Sequence, residues 1–161
     1  MLFGMPDSFM RTKAKELFNT ELPPIGEYAV GNVFFPPGSD TKPVMGDLKE
    51  IVERLVKEKG LSTIGWRPVP VDNSMLGKDP LDSEPITEQI FISVAGTSAK
   101  DRKVFEQDLL LVRKMAEEEA TDTLGPESGF YVNSLTTNHI TYKGQLTPAQ
   151  VSQYFLGLQD P

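Results

Sequence analysis

Residues 28–69 read YAVGNVFFPPGSDTKPVMGDLKEIVERLVKEKGLSTIGWRPV. Tyr28 to Phe35 alternates well enough for a strand, with Gly31 allowing another backbone to approach closely. Pro36-Pro37-Gly38 ends it. Leu48, Ile51, Val52, Leu55 and Val56 then recur at i, i+3, i+4, i+7 and i+8, one face of a helix, and Gly60 closes that helix. Ser62 to Val69 returns as a strand, frayed at its end by Pro68 and Pro70. Strand, helix and strand within so short a run set the unit from which the rest is built.

The pattern repeats further along. Residues 72–87, with Gly77, Pro80 and Pro85 among polar neighbours, form a long connection. Glu88 to Val94 alternates as a strand through Ile90, Ile92 and Val94. Residues 99–120 read as a long helix with a stripe at Phe105, Leu109, Val112 and Ala116, broken by Gly125-Pro126. Two β-rich runs follow, FYVNSL and HITYKG, joined as a hairpin by the turn Thr136-Thr137-Asn138. Thr147 as N-cap and Pro148 as first helical residue open a short last helix. Ahead of Tyr28, residues 8–18 suit a short helix begun by Asp7 or Ser8, and Glu21 to Gly26 is a Pro-rich turn. The order strand, helix, strand, strand, helix, strand predicts an α+β layer. Helices cover one face of a mostly antiparallel sheet, as in split βαβ folds.

The chain has 161 residues, one domain by length, and a net charge of −7. No basic run exceeds two residues, which argues against a nucleic-acid surface and against an anionic membrane surface. Cysteine is absent, so disulfides, thiolate metal sites, cysteine-held iron–sulfur clusters and a cysteine nucleophile within these residues are excluded. A single histidine excludes a multi-histidine metal site. MLFGMPDSF at the start is too soon interrupted for a signal peptide, and no apolar run nears the ~20 residues of a membrane span. An intracellular setting, cytoplasmic or organellar, is the expectation.

Polar residues that could carry chemistry each have a plainer reading. His139 lies in a strand with no sequence-evident partner for acid–base work. Lys143 before Gly144 lacks the glycine-rich approach of a phosphate loop. Thr147 is a cap. Arg67 fits a surface ion pair with Asp72 or Glu88, and Trp66 a core position. Asp79, Asp82 and Glu84 lack the glycine and bidentate glutamate of a calcium loop. Asp101, Glu106 and Asp108 complement the dipole of the long helix, and Glu117-Glu118-Glu119 reads as its solvated face. No catalytic, cofactor-binding or metal-binding residue is assigned on this reading.

Several segments, taken in order, carry a family resemblance: GEYAVGNVFFP (26–36), GWRPVPVD (65–72), Leu76-Gly77, EPITEQIFI (84–92), FEQDLLLVRK (105–114), FYVNSL (130–135), YKGQLTPAQV (142–151) and LQDP (158–161). Together they resemble the amidotransferase region of the glutamate synthase large chain, in wording nearest the eukaryotic NADH-linked type. The resemblance runs from about Met5 to Pro161.

That resemblance implies a four-layer αββα sandwich of the N-terminal-nucleophile kind, within which residues 1–161 form a single partial domain. It implies an oxidoreductase of glutamate biosynthesis and ammonia assimilation. Glutamine is hydrolysed at a terminal cysteine, and the ammonia meets 2-oxoglutarate at a flavin site. FMN and iron–sulfur clusters are expected elsewhere in the parent enzyme, and the remainder of that chain is the expected partner. The family's cysteine and Asp-Gly-Ala-Gly segment would precede Met1, and its arginine strand and Asn-Gly oxyanion segment would follow Pro161. Gly157 stands where the family often has an acidic residue. The expectation is therefore an internal piece, either a gene-model fragment or a truncated product, architectural in role and inactive alone. A layer without its partner would then expose Val30, Phe34, Ile90 and Ile92. The alternative is a stand-alone, non-catalytic ferredoxin-like binding module.

Overall fold

A computed structural model describes residues 2–39, 43–74, 76–77, 84–95, 101–142 and 153–156. The elements run β1 (Leu2–Gly4), α1 (Asp7–Phe18), β2 (Tyr28–Phe35), α2 (Pro43–Glu58), β3 (Leu61–Pro68), β4 (Ile86–Val94), α3 (Arg102–Leu124), β5 (Tyr131–Thr136) and β6 (His139–Thr141). Four strands form one sheet in the order β3-β4-β2-β5, with every neighbouring pair antiparallel. Strand β4 lies between β2 and β3, the strands joined through α2, and β2 lies between β4 and β5, the strands joined through α3. This is the split βαβ arrangement that the element order implies.

Both helices cover one face. Leu48, Val52, Leu55 and Val56 of α2 and Phe105, Leu109, Val112, Ala116 and Ala120 of α3 form one cluster with Ala29, Val33 and Phe35 of β2 and Ile90 and Ile92 of β4. The α2 stripe is the one read from its spacing. Helix α3 runs to Leu124 and ends at Gly125, whose φ of 94° suits glycine. The opposite face carries a second cluster, with Met10 and Ala14 of α1, Tyr28, Val30, Phe91, Ile140, Tyr142, Tyr154 and Phe155. The expected exposure of Val30, Ile90 and Ile92 is corrected: all three are fully buried, because each face of the sheet has its own cover. Phe34 is half-buried.

Residues 130–142 do not form a hairpin within one sheet. Strand β5 pairs with β2, whereas β6 pairs with β1 in a separate two-stranded sheet, Phe3 opposite Ile140. Strand β1 carries no sequence signal of its own, since three residues are too few to show a period. The expected helix at Thr147-Pro148 and the departure at Gly157 lie outside the described residues.

Gly31 of β2 lies opposite Leu135 of β5. A Cβ there would lie 2.8 Å from Leu135 Cδ1 and 2.9 Å from the Ser134 carbonyl oxygen.

Candidate functional site: a polar seam between two sheets

Side chains alternate across a strand, so register decides which residues share a face. Arg67 of β3 lies opposite Gln89 of β4, Gln89 opposite Asn32 of β2, and Asn32 opposite Ser134 of β5. These four form one polar row across all four strands, on the face away from α2 and α3. All are buried: Arg67 is 5% exposed, Gln89 0%, Asn32 1% and Ser134 3%.

The row is linked by hydrogen bonds. Arg67 Nη1 donates to Gln89 Oε1 at 2.9 Å, and Gln89 Nε2 donates to the Tyr142 hydroxyl at 3.4 Å. The Arg67 guanidinium also stands over the Phe9 ring, 5.2 Å from its centroid. Burial pushes the Tyr142 hydroxyl above the usual tyrosine range, so it acts as a neutral partner. At the other end the row grips the second sheet. Asn32 Nδ2 donates to the Thr141 carbonyl at 2.8 Å, and the Thr141 N–H donates to Ser134 Oγ at 3.2 Å. Both backbone groups of one β6 residue are thus held by side chains of the first sheet.

The turn between β5 and β6 has its own clamp, built by Arg102 and Glu106 one helical turn apart on α3. The Glu106 carboxylate accepts from Thr137 N at 2.7 Å, from Thr137 Oγ1 at 2.6 Å and from Thr136 Oγ1 at 2.9 Å. Arg102 Nε donates to Thr137 Oγ1 at 3.1 Å, and its Nη2 donates to Asn138 Oδ1. The Asn138 carbonyl in turn accepts the Met5 N–H at 3.0 Å, which ties the exit of β1 to the turn. This clamp takes the chain out of the first sheet and into the second.

Several sequence expectations change here. Arg67 is not a surface partner of Asp72 or Glu88. Glu88 projects to the opposite face and meets Lys49 of α2 at 2.8 Å, while Asp72 Oδ1 accepts the Ser74 N–H at 3.0 Å. Trp66 is only half-buried, its ring against Phe35 and its indole N–H donating to Glu53 at 2.8 Å. Asp101 does cap α3, accepting the Lys103 N–H at 2.8 Å. Glu106 serves the turn, as described. Of the run Glu117-Glu118-Glu119, only Glu118 is exposed. Glu117 accepts the Val132 N–H at 2.9 Å, and Glu119 receives Arg54 of α2.

His139 is half-buried in β6 opposite Gly4. Glu84 accepts from Asn73 Nδ2 at 3.0 Å and from the Tyr154 hydroxyl. Asp79, Asp82, Lys143 and Thr147 lie outside the described residues. Among the described residues no three His, Asp or Glu side chains gather as a metal-ligand set, and no helix is long and apolar enough to cross a membrane. With no thiolate in the chain, an iron–sulfur cluster has no ligands here. The seam sets no nucleophile beside a base. Its chemistry is positional: it fixes one sheet against another.

Comparison with known proteins agrees with the segments quoted above. The family model for class-II glutamine amidotransferases matches residues 1–161. The chain belongs to that family. It is 39% identical over 165 residues to the NADH glutamate synthase of Schizosaccharomyces pombe, covering 99% of this chain and 7% of that protein. The NADH glutamate synthase of Saccharomyces cerevisiae is 38% identical, covering 96% of this chain and 7% of that protein. The large chain of the NADPH glutamate synthase of Bacillus subtilis is 37% identical, covering 99% of this chain and 10% of that protein. The chain thus spans a tenth or less of the length of these curated relatives.

Proposed function

We propose that these residues are the architectural part of the glutaminase domain of a glutamate synthase, one half of a four-layer αββα sandwich. In that enzyme glutamine is hydrolysed and the released ammonia is joined to 2-oxoglutarate with reduction. FMN and iron–sulfur clusters would belong to other parts of the parent, since this chain supplies no cysteine. The observation that carries the reading is identity of 37–39% across 96–99% of this chain to glutamate synthases of three organisms. The seam fits it: a first sheet that grips the backbone of a second is suited to holding a site formed between layers. These residues would position, and residues outside 1–161 would react.

The test is a chimera. The matching region of the Schizosaccharomyces pombe enzyme is replaced by this chain, and glutamine-dependent glutamate formation is assayed. Activity within about tenfold of the parent is expected. The 161-residue chain by itself is expected to release no ammonia from glutamine, and turnover above the uncatalysed rate would sink the architectural reading.

A second reading keeps one specific observation in its favour. The β3-β4-β2-β5 sheet and its two helices close their own apolar core, as a ferredoxin-like binding module would. That reading requires a folded chimera to be inactive while the chain alone is monodisperse and binds a ligand.

A further inference from the structure

An open cleft of about 500 Å³ runs between α3 and β5, with Leu110 and Arg113 on the helix wall and Asn133 and Leu135 on the strand wall. That volume lies in the range of small-molecule sites. Asn133 is the extra residue of a β-bulge, since Asn32 faces Ser134 whereas Val33 faces Val132. It is 5% exposed, and neither its Oδ1 nor its Nδ2 has a hydrogen-bond partner among the described residues. Buried amides are nearly always bonded, so an amide with both functions idle at the floor of a cleft calls for a partner from outside.

A pair of opposite charges stands next to it. Glu117 Oε1 accepts the N–H of Val132, the residue before Asn133, and the same oxygen lies 3.9 Å from Arg113 Nε. That separation is too long for a hydrogen bond. The Arg113 and Glu117 side chains are 31% and 30% exposed, so each can take a second partner. Between the charged pair and the far end of the cleft, Leu110 and Leu135 supply apolar surface, Leu110 being 47% exposed.

A cation beside an anion complements a zwitterion, an apolar stretch complements methylenes, and an idle amide complements another amide. One class of small molecule carries all three, an α-amino acid whose side chain ends in a carboxamide. We infer that the α3–β5 cleft binds glutamine, at a site apart from the residues that hydrolyse it. The α-carboxylate accepts from Arg113 and the α-ammonium donates to Glu117. The methylenes lie on Leu110 and Leu135. The Asn133 side chain turns from the floor into the cleft, and the two carboxamides pair, each donating one N–H to the other's oxygen. Glutamate sets a carboxylate oxygen against Asn133 Oδ1 and is bound less tightly. The choice of glutamine among amide-bearing amino acids rests on the proposed function.

The test is equilibrium dialysis of the 161-residue chain against labelled glutamine and labelled glutamate. One saturable glutamine site is expected, with affinity at least about tenfold above that for glutamate. Arg113→Ala should weaken glutamine by about tenfold or more. Asn133→Ala should erase the preference for glutamine over glutamate, with the far-ultraviolet circular dichroism unchanged. No saturation up to ~10 mM glutamine, equal affinity for the two amino acids, or affinity indifferent to Arg113→Ala overturns the inference.

Should the isolated chain not stay folded, the chimera carries the test with its nucleophilic cysteine replaced by alanine. Two glutamine sites are then expected, and one after Arg113→Ala; a single site in both proteins overturns the inference. A chain that binds glutamine while the folded chimera is inactive removes the glutamate synthase reading and leaves the cleft site standing. An active chimera whose isolated, folded chain binds no glutamine does the reverse.

Discussion

Gly31 shows how much one hydrogen atom matters where strands cross. A methyl group there would press on Leu135, on the Ser134 carbonyl and on Ile90, and two of these neighbours belong to the packed core. Gly31→Ala is expected to cost ~1–3 kcal/mol of stability, read as a lower urea midpoint with an unchanged slope. The need for a glycine was legible, because a glycine inside an alternating strand marks close approach. The partner of Arg67 was not. A surface ion pair with Asp72 or Glu88 was the expectation, but alternation in β3 and β4 puts Arg67 and Glu88 on opposite faces. Acid–base balance also rests on single residues. Hydrogen bonds from Arg11 and from the Tyr28 hydroxyl hold the Asp7 carboxyl below the usual carboxylate range. Burial, followed by the Asp7 hydrogen bond, pushes the Tyr28 hydroxyl above the usual tyrosine range. A lowered carboxyl stabilises above its unfolded value of ~3.9, and that contribution fades as pH falls through the folded value. A raised tyrosine stabilises below its unfolded value of ~10 and loses that contribution as pH rises further. Wild-type stability should therefore fall in acid more steeply than that of Asp7→Asn, with urea unfolding at a series of pH values as the measurement. Parallel curves for the two proteins would show that Asp7 is not the acid-sensitive group.

At the scale of elements, the helices and the four long strands were readable because each is long enough to show a period. Helix α2 and strand β2 were the clearest, and the one helix face and antiparallel order followed from their succession. The fate of residues 130–142 was not readable. Two β-rich runs separated by a short polar turn look like a hairpin, and nothing local says that Arg102 and Glu106, some thirty residues upstream, seize that turn and redirect the chain. The seam shares this opacity: Arg67, Gln89, Asn32 and Ser134 are far apart in sequence and become a row only through register. Both devices can be tested by removing one acceptor. Glu106→Ala strips the acceptor from Thr136 and Thr137 at once, and charged hydrogen bonds of this kind support a loss of about 2 kcal/mol. Ser134→Ala leaves the N–H of half-buried Thr141 without its acceptor, at a cost of ~1 kcal/mol. The two losses should differ in place. Glu106→Ala should speed amide exchange on both sides of the turn, and Ser134→Ala chiefly in β6. An Ser134→Ala protein that exchanges at Thr141 like wild type would remove the seam as the anchor of the second sheet.

The whole molecule is built on one sheet with two unequal covers. On the helix side, α2 and α3 lay continuous stripes over Val33, Phe35, Ile90 and Ile92, and Arg54 ties α2 to Glu119 of α3. On the other side the cover is assembled from short parts: α1, the two three-residue strands and the residues around Tyr154 and Phe155. Conformational entropy is paid per residue ordered, so short elements return less burial for each turn of chain they fix. Local opening should accordingly come in two tiers. Native-state hydrogen exchange is expected to show the amides of Ile90 and Phe91, in the centre of the sheet, opening only with global unfolding. Those of Ile140 and Thr141 should open at a free energy lower by about 2 kcal/mol or more, which is a thirtyfold or larger difference in exchange. The gap should narrow in the chimera if the proposed sandwich forms there, because the grips at Thr141 and the apolar side chains beneath β6 would then be shared by a larger cooperative unit. Should β6 in the isolated chain instead exchange with the same free energy as β4, the two covers form a single unit already, and the chain needs no further strand to hold its second face.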